Sequence, residues 1–214
     1  MTKSKLTLIA ALLIMTAGLC PAATYYVATA GSDANDGLTE LTAFATIQHG
    51  IDSSAAGDTV LVTEGVYNES INFNGKAITV RSASGVPYNT SIITPVAVSL
   101  YSVRLTSAEG PDSILQGFTV TGYIPVRCDN SSPVISNCII TGGYTENIYL
   151  KDSSAEIRNC IITGSSYGVK TVGTGRDILR NNTIAANSSC GVSIADGGVP
   201  PSITNCIIWG NSAG

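Results

Sequence analysis

The chain has 214 residues, of which 44% are hydrophobic and 12% are charged, a balance that excludes a largely disordered protein. Its formal net charge is −4, so it lacks the excess of basic residues with which proteins bind the phosphate backbone, and we expect no nucleic-acid partner. The 22 glycines and nine tyrosines, beside a single histidine, favour a turn-rich, all-β protein.

The first 23 residues have the pattern of a secretory signal peptide. Lys3 and Lys5 precede the apolar run LTLIAALLIMTAGLC, which ends at the small residues Pro21, Ala22 and Ala23. The apolar run is too short to be a comfortable membrane span, and a signal anchor is the alternative. We therefore expect cleavage on export, no membrane span afterwards, and a location outside the cell, at the cell surface or in the periplasm.

Residues 24–57 are predicted to form an N-terminal cap made of a strand, a polar loop and a short helix. Phe44, Ile47 and Ile51 have the i, i+3, i+7 spacing of one helical face, and Thr42 is the candidate N-cap. We expect this helix to cover the open end of the core, because an uncovered coil would leave backbone groups unpaired.

Repeats fill the rest of the chain, residues 58–214. One phrase occurs four times: ISNCIITGG (135–143), IRNCIITGS (157–165), LRNNTIAAN (179–187) and ITNCIIWGN (203–211). Its leading asparagines, Asn137, Asn159, Asn181 and Asn205, are 22, 22 and 24 residues apart, and the earlier LQGFTVTGY has Gly117 at that position. A period of this length is typical of a solenoid.

A second phrase lies between these copies, as NIYLKD (147–152), GVKTVG (168–173) and GVSIAD (191–196). Its apolar residues alternate, as Ile148 and Leu150 do, and a period of two indicates a β-strand. A third short strand precedes each repeated asparagine. Each repeat is therefore predicted to be a coil of three strands that pairs in parallel with the next coil about 4.8 Å away.

On these motifs the chain resembles the right-handed parallel β-helix proteins of the pectate-lyase-like superfamily, from about Tyr25 to the end. The resemblance implies that the repeated asparagine occupies a tight left-handed turn and hydrogen-bonds its copy in the next coil. It also implies two inward stacks, namely Cys138, Cys160, Asn182 and Cys206, and Ile140, Ile162, Ile184 and Ile208. Since Gly214 falls in the middle of a repeat, we expect further coils to follow and interpret the chain as an N-terminal fragment.

Five cysteines remain after cleavage, and their spacing does not indicate a disulfide framework. Cys138, Cys160 and Cys206 share a core position, with a disulfide between the first two as the alternative. Cys128 aligns with apolar residues and is expected to be buried. Cys190 is expected in a turn, as a reactive thiol or as half of an intermolecular bond.

The candidate functional face is the outward side of the second phrase. Aligned by its alternation, with a one-residue shift in the coil of Lys170, it presents one row: Arg127, Tyr149, Lys170 and Ser193. Beside that row lie Asp129 and Lys151, then Asn130, Asp152 and Asp196. The resemblance implies that an acidic polysaccharide binds along this face, which makes the following residues the candidate substrate-binding set: Arg127, Tyr149, Lys151 and Lys170.

Uronan lyase chemistry fits these residue types. Ca²⁺ held by Asp129, Asp152 or Asp196 would neutralise the substrate carboxylate. Lys170 or Arg127 would then take the proton next to that carboxylate. In the alternative interpretation these are solvated residues that offset one another across coils. The calcium-ligand pattern of the superfamily's lyases is not matched residue by residue, so no catalytic residue is carried over.

We therefore expect a secreted β-helix protein that binds an extracellular or cell-surface glycan and depolymerises it, as a polysaccharide lyase or a glycoside hydrolase. The alternative is a non-catalytic, adhesin-type scaffold whose coils supply a binding face without a reaction.

Overall fold

A computed structural model describes residues 21–94, 100–195 and 197–212. They form a right-handed parallel β-solenoid of about seven turns, with about 22 residues per turn, which confirms the fold predicted from the repeats. Two predictions concern residues outside these ranges, namely residues 1–20 of the signal peptide and the candidate metal ligand Asp196. Within the described ranges, no helix is long and apolar enough to cross a membrane.

The strands are short and follow one another at regular intervals, with one α-helix near the start. In chain order the elements are β1 (Thr24–Val27), α1 (Ile47–Ser53), β2 (Thr59–Val62), β3 (Gly65–Tyr67), β4 (Ile71–Asn72), β5 (Thr79–Ser82), β6 (Thr90–Ile93), β7 (Tyr101–Leu105), β8 (Ile114–Gln116), β9 (Thr119–Thr121), β10 (Ile124–Asp129), β11 (Val134–Ser136), β12 (Ile139–Thr141), β13 (Glu146–Lys151), β14 (Glu156–Arg158), β15 (Ile161–Thr163), β16 (Tyr167–Val172), β17 (Ile178–Arg180), β18 (Thr183–Ala185), β19 (Cys190–Ala195), β20 (Ser202–Thr204) and β21 (Ile207–Trp209). Short 3₁₀ turns cover Glu40–Thr42 and Pro87–Asn89.

The described strands build three parallel sheets, and the chain visits them in the same order in each full coil. Sheet A has the order β1-β2-β5-β8-β11-β14-β17-β20, sheet B the order β21-β18-β15-β12-β9-β6-β3, and sheet C the order β19-β16-β13-β10-β7-β4. Neighbouring strands pair in register, for example Ile135 with Ile157. Equivalent positions of successive repeats therefore stack along the solenoid axis.

Aliphatic stacks fill the inside of the solenoid. The inward stack of sheet A is fully buried and consists of Val60, Val80, Leu115, Ile135, Ile157 and Leu179. Sheet B contributes Ile92, Val120, Ile140, Ile162 and Ile184, also fully buried. Burying each of these side chains stabilises the fold by about 1.5–3 kcal/mol. Ile208, in the last described coil, continues the predicted isoleucine stack but is 39% exposed.

The repeated asparagines occupy the tight turn from sheet A to sheet B. Their φ angles are 52°, 54°, 56° and 58° for Asn137, Asn159, Asn181 and Asn205. Gly117, at the same position one coil earlier, has a φ of 82°. This left-handed region is accessible to Asn and Gly at low cost. The side chains form the predicted ladder between the last two coils, where the Asn205 amide donates to Asn181 Oδ1 at 3.2 Å.

The five cysteines in the described part of the chain are single thiols. Cys128, Cys138 and Cys160 are buried and free, so the alternative of a disulfide between Cys138 and Cys160 is wrong for this structure. Cys190 is the first residue of β19 and half-buried, which corrects its predicted place in a turn. The strand thus starts one residue before Gly191, where the second phrase begins.

The predicted helix is present, but it starts later than its sequence pattern indicates. Its N-cap is Thr46, whose hydroxyl accepts a hydrogen bond from the His49 backbone at 3.2 Å, and not Thr42, which ends a 3₁₀ turn. Phe44 lies before the helix in an isolated bridge with Val27. The helix buries Ile47 and Ile51 in the same core as Phe44. All three residues are therefore apolar, although only two of them belong to the helix.

Candidate functional site

The outward face of sheet C carries one continuous row of side chains, which we call the Arg127 row. Strand register places its members side by side on successive coils: Asn72, Arg104, Arg127, Tyr149, Lys170 and Ser193. The register confirms the predicted alignment of Arg127, Tyr149, Lys170 and Ser193, including the one-residue shift before Lys170. The row therefore presents three cations within four adjacent coils, each coil about 4.8 Å from the next.

Arg127 is held on three sides. Its guanidinium carbon lies 4.8 Å from the ring centre of Tyr101 and 4.9 Å from that of Tyr149. Nη1 donates to the Tyr101 hydroxyl at 2.6 Å, and Nε and Nη2 donate to Asp129 Oδ2 at 2.9 and 2.6 Å. Burial alone would lower the pKa of Arg127, but the hydrogen bond and charge of Asp129 outweigh it and raise that pKa. Arg127 is thus a fixed cation, suited to binding an anion rather than to acting as a base.

Arg104, which the sequence analysis missed, extends the row by one coil. It lies between the buried residues Val103 and Leu105 and directly beside Arg127. Its Nε is buried and has no hydrogen-bond partner in the described part of the chain. The available signal was its alternation with Val103 and Leu105, which marks it as outward-facing. The repeat phrase becomes recognisable only in later coils, so the alignment did not reach it.

The two lysines of the candidate set occupy different rows. Lys170 lies in the Arg127 row, half-buried, with its Nζ 5.6 Å from the ring centre of Tyr167. Lys151 is exposed and lies in the next row, in register with Asp129. The structure thus brings Arg127, Tyr149 and Lys170 together and sets Lys151 to one side.

The described carboxylates of the candidate metal set each have a protein partner. Asp129 accepts from Arg127, and Asp152 Oδ1 accepts from the Thr174 backbone and hydroxyl at 3.0 and 3.3 Å. Among the described residues no group of three or more His, Cys, Asp or Glu side chains is placed to hold a metal ion. Asp129 and Asp152 alone do not fit a calcium site, and the predicted site with Asp196 stays a prediction.

A groove runs along the turns that lead from sheet B into sheet C. It has a volume of about 650 Å³, and four successive turns line it with glycine, serine and alanine. Tyr123 and Tyr144 form one wall, with stacked rings whose centres are 5.1 Å apart, and Tyr144 is 72% exposed. We call this feature the tyrosine groove. An exposed aromatic wall above small polar residues is a surface on which a sugar ring can stack while its hydroxyls form hydrogen bonds.

Buried amides fix the floor of the tyrosine groove. Asn187 Oδ1 accepts from the backbone and hydroxyl of Ser165, at 3.2 and 3.1 Å, and its backbone donates to Asn211 at 3.0 Å. Asn147, two coils earlier, donates to the Thr163 carbonyl at 2.8 Å. These hydrogen bonds tie successive turns together, so the groove is preformed. The sequence analysis missed it because its residues come from separate turns.

The chain belongs to the right-handed β-helix family. The family model described as a right handed beta helix region matches residues 56–214, most of the chain. This agrees with the three parallel sheets and with the repeated left-handed turn. No curated protein matches the sequence closely enough to count as a relative.

Solved structures of similar shape include enzymes that act on polysaccharides. An alginate lyase from Paenibacillus sp. str. FPU-7 has a TM-score of 0.65 at 19% identity, over 75% of this chain and 62% of that one. Pectate lyase Pel9A has a TM-score of 0.58 at 16% identity, over 79% and 55%. Pectin methylesterase from Aspergillus niger has a TM-score of 0.59 at 12% identity, over 87% and 76%.

These identities show a shared fold and no more. The chain spans 62% and 55% of the length of the two lyases.

Proposed function

We propose that this protein is a secreted β-helix protein that binds an acidic extracellular polysaccharide along the Arg127 row and the adjoining tyrosine groove, and cleaves it as a lyase. The observation that carries the proposal is the row of Arg104, Arg127 and Lys170 on one outward face of an acidic chain. The likeness to an alginate lyase and a pectate lyase supports the substrate class.

The arginines would bind the carboxylates of neighbouring sugar units. Arg127 is already fixed between two rings, so little side-chain freedom is lost on binding. Arg104 lies beside Arg127 in the same row and would supply a second guanidinium for a carboxylate. Tyr144 would stack on a sugar ring at the edge of the row.

Lys170 is our candidate base, because the raised pKa of Arg127 keeps that guanidinium protonated. As a neutral amine, Lys170 would accept the proton from the carbon next to the bound carboxylate. The electron pair of that C–H bond forms a C=C bond, and the glycosidic C–O bond breaks, with its oxygen leaving on the other half of the chain and taking a proton from water. In this step the arginines of the row neutralise the bound carboxylate, and a calcium site that includes Asp196 stays a prediction.

The test is to incubate the full chain with alginate and with polygalacturonate, with and without Ca²⁺, and to follow the ultraviolet absorbance of the unsaturated product. Lys170→Gln should lower kcat more than KM changes, whereas Arg104→Gln should mainly raise KM. Arg176→Gln, an exposed change outside the row, is the matched control and should change neither. No product from any uronan would overturn the lyase assignment.

The same uronans and variants distinguish the lyase from the non-catalytic alternative, when binding is measured beside product formation. Asp129, Asp152 and Arg127 are engaged with partners inside the protein, which favours a face that binds without reacting. Binding of a uronan that Arg104→Gln weakens, with no product formed, would identify the protein as an adhesin-type scaffold.

A further inference from the structure

The outward face of sheet A carries a second row of polar side chains, on a different side of the solenoid from the Arg127 row. Register places its members on successive coils: Arg81, Gln116, Ser136, Arg158, Arg180 and Thr204. Arg158 and Arg180 are direct neighbours. Like charges opposite each other on adjacent strands destabilise a sheet, so this pair needs an explanation.

The positive charges of Arg158 and Arg180 are only weakly neutralised within the protein. Among the described carboxylates, Glu156 faces both arginines, with Oε1 3.9 Å from Arg158 Nη1 and 4.0 Å from Arg180 Nη1. These distances are too long for hydrogen bonds. The two arginine side chains are 43% and 52% exposed, so an ion pair of this kind contributes little. One positive charge and the guanidinium forks remain available to a ligand.

The arginines line a groove of about 320 Å³ together with mostly polar residues, the exception being Ile114. Side chains of Gln116, Asn137, Asn159 and Asn181 contribute to it, and each amide can both donate and accept hydrogen bonds. The lining extends over four adjacent strands, from β8 to β17, which corresponds to a length of about 14 Å. This length exceeds that of a single small anion and suits an extended chain that carries hydroxyls.

We propose that this groove, the Arg158 groove, is a second binding site for an acidic saccharide, with Arg158 and Arg180 sharing one uronate carboxylate and the amides contacting its hydroxyls. A guanidinium pair matches the planar geometry of a carboxylate. The inference shares only the ligand class with the proposed function, since it uses residues of sheet A and requires no reaction. It assigns two uronan-binding faces to one solenoid, so one molecule of the protein can hold two segments of polymer.

The test is isothermal titration of the full chain with a uronic-acid hexamer, which gives the number of sites and their affinities. Arg180→Gln should weaken one class of site about tenfold, with the other unchanged. Arg180→Lys should recover only part of this loss, because it restores the charge but not the fork. Glu156→Gln should strengthen the same site, because it removes the carboxylate that competes with the ligand. Arg176→Gln, an exposed arginine four residues from Arg180, should change nothing.

The outcomes separate the two sites. If Arg104→Gln weakens hexamer binding while Arg158→Gln/Arg180→Gln leaves the number of sites and the affinities unchanged, the inference is wrong and the proposed function stands. If only the sheet A variants matter, the proposed function fails and the second site stands. Binding of sulfate but not of the hexamer at Arg158 and Arg180 would also overturn the inference, since it would show a small-anion site. Circular dichroism of each variant verifies that the solenoid is intact.

Discussion

Arg127 donates from Nε and Nη2 to the same oxygen of Asp129, at 2.9 and 2.6 Å, although the two residues are only two positions apart on β10. Both side chains point outward because strand residues two apart share a face. The other oxygen of Asp129 is buried without a hydrogen-bond partner among the described residues. The pair is therefore built to fix the guanidinium rather than to satisfy the carboxylate.

This geometry predicts that Arg127→Lys is not a conservative change. A lysine keeps the charge but loses the double contact with Asp129 and the stacking between two tyrosine rings. We expect the free energy of unfolding to fall by about 1 kcal/mol, a modest value because both side chains retain some exposure. We expect binding of a uronic-acid hexamer at the row to weaken about tenfold.

Urea denaturation and titration with the hexamer measure these two effects. Arg176→Lys is the control, since Arg176 is exposed and lies outside the row. Equal stability and affinity for Arg127→Lys and the control would show that the fixed orientation of Arg127 has no role.

The asparagine turn predicts a different kind of stability loss. Asn159 has a φ of 54°, which alanine adopts only at a cost, so Asn159→Ala should destabilise the solenoid by about 1–2 kcal/mol. Asn159→Gly should cost less, because glycine tolerates this region. Ser202→Ala, an exposed change on β20, provides the baseline in the same denaturation experiment. An alanine variant as stable as that baseline would argue against strain at this turn.

Asn182 occupies a position of the inward stack that is a cysteine in the neighbouring coils. Its contacts predict which of two substitutions costs more stability. Its Oδ1 accepts from the Cys160 backbone at 2.9 Å, and its Nδ2 donates to the Ile157 carbonyl at 2.8 Å. Asn182→Ala would remove both hydrogen bonds from the buried Cys160 N–H and Ile157 carbonyl, at a cost of about 2–4 kcal/mol. Asn182→Cys should cost clearly less, because a sulfur at this position can accept from a backbone N–H. Cys206 does so one coil later, where it accepts from the Asn182 backbone at 3.4 Å.

Thermal or urea unfolding of both Asn182 variants decides this ranking. The two variants share the loss of the amide and differ in whether a sulfur fills the position. If Asn182→Cys is as unstable as Asn182→Ala, then sulfur does not substitute for the amide and the cysteine positions are held by packing alone.

The fold was predictable from the sequence because every coil repeats the same local requirements. A left-handed turn needs Asn or Gly, and each strand needs alternating apolar residues, so Asn159 and its copies mark the period without reference to distant contacts. The Arg127 row was predictable for the same reason, since alternation alone decides which side chains face outward. The helix start was not, because Phe44 is buried by a bridge to Val27 rather than by a helical turn.

The two grooves could not be found in this way. The tyrosine groove combines Tyr123 and Tyr144 from turns of different coils, and stacking of their rings depends on the three-dimensional path of those turns. Arg158 and Arg180 hold the same position of the repeat, so their adjacency follows from its period, but their shared contact with Glu156 and the shape of the Arg158 groove become visible only when β14 and β17 are paired. Sequence alternation identifies the outward side of a strand but not the shape of the surface.

Asp177 predicts the pH dependence of stability. The side chain is buried in the turn from sheet C to sheet A, and burial raises its pKa above the ordinary 3.8 in spite of hydrogen bonds from the Ser153 hydroxyl at 2.6 Å and the Ala155 backbone at 3.0 Å. Because the pKa is higher in the folded than in the unfolded state, the folded state binds this proton more tightly. The contribution of Asp177 to stability is therefore complete below pH 3.8 and is lost as the pH rises through the raised pKa.

Asp177→Asn should remove this dependence, since the amide oxygen can still accept from Ser153 and Ala155 while no charge forms in the buried turn. We expect the stability of the variant relative to the wild type to be greater at pH 7 than at pH 4, as measured from urea midpoints at both values. The comparison uses the difference between the two proteins, so that the titration of other carboxylates cancels. Asp112→Asn, at an exposed position, should show no such difference. A relative stability of Asp177→Asn that is the same at both pH values would mean that Asp177 titrates as it does in the unfolded chain, in conflict with its burial.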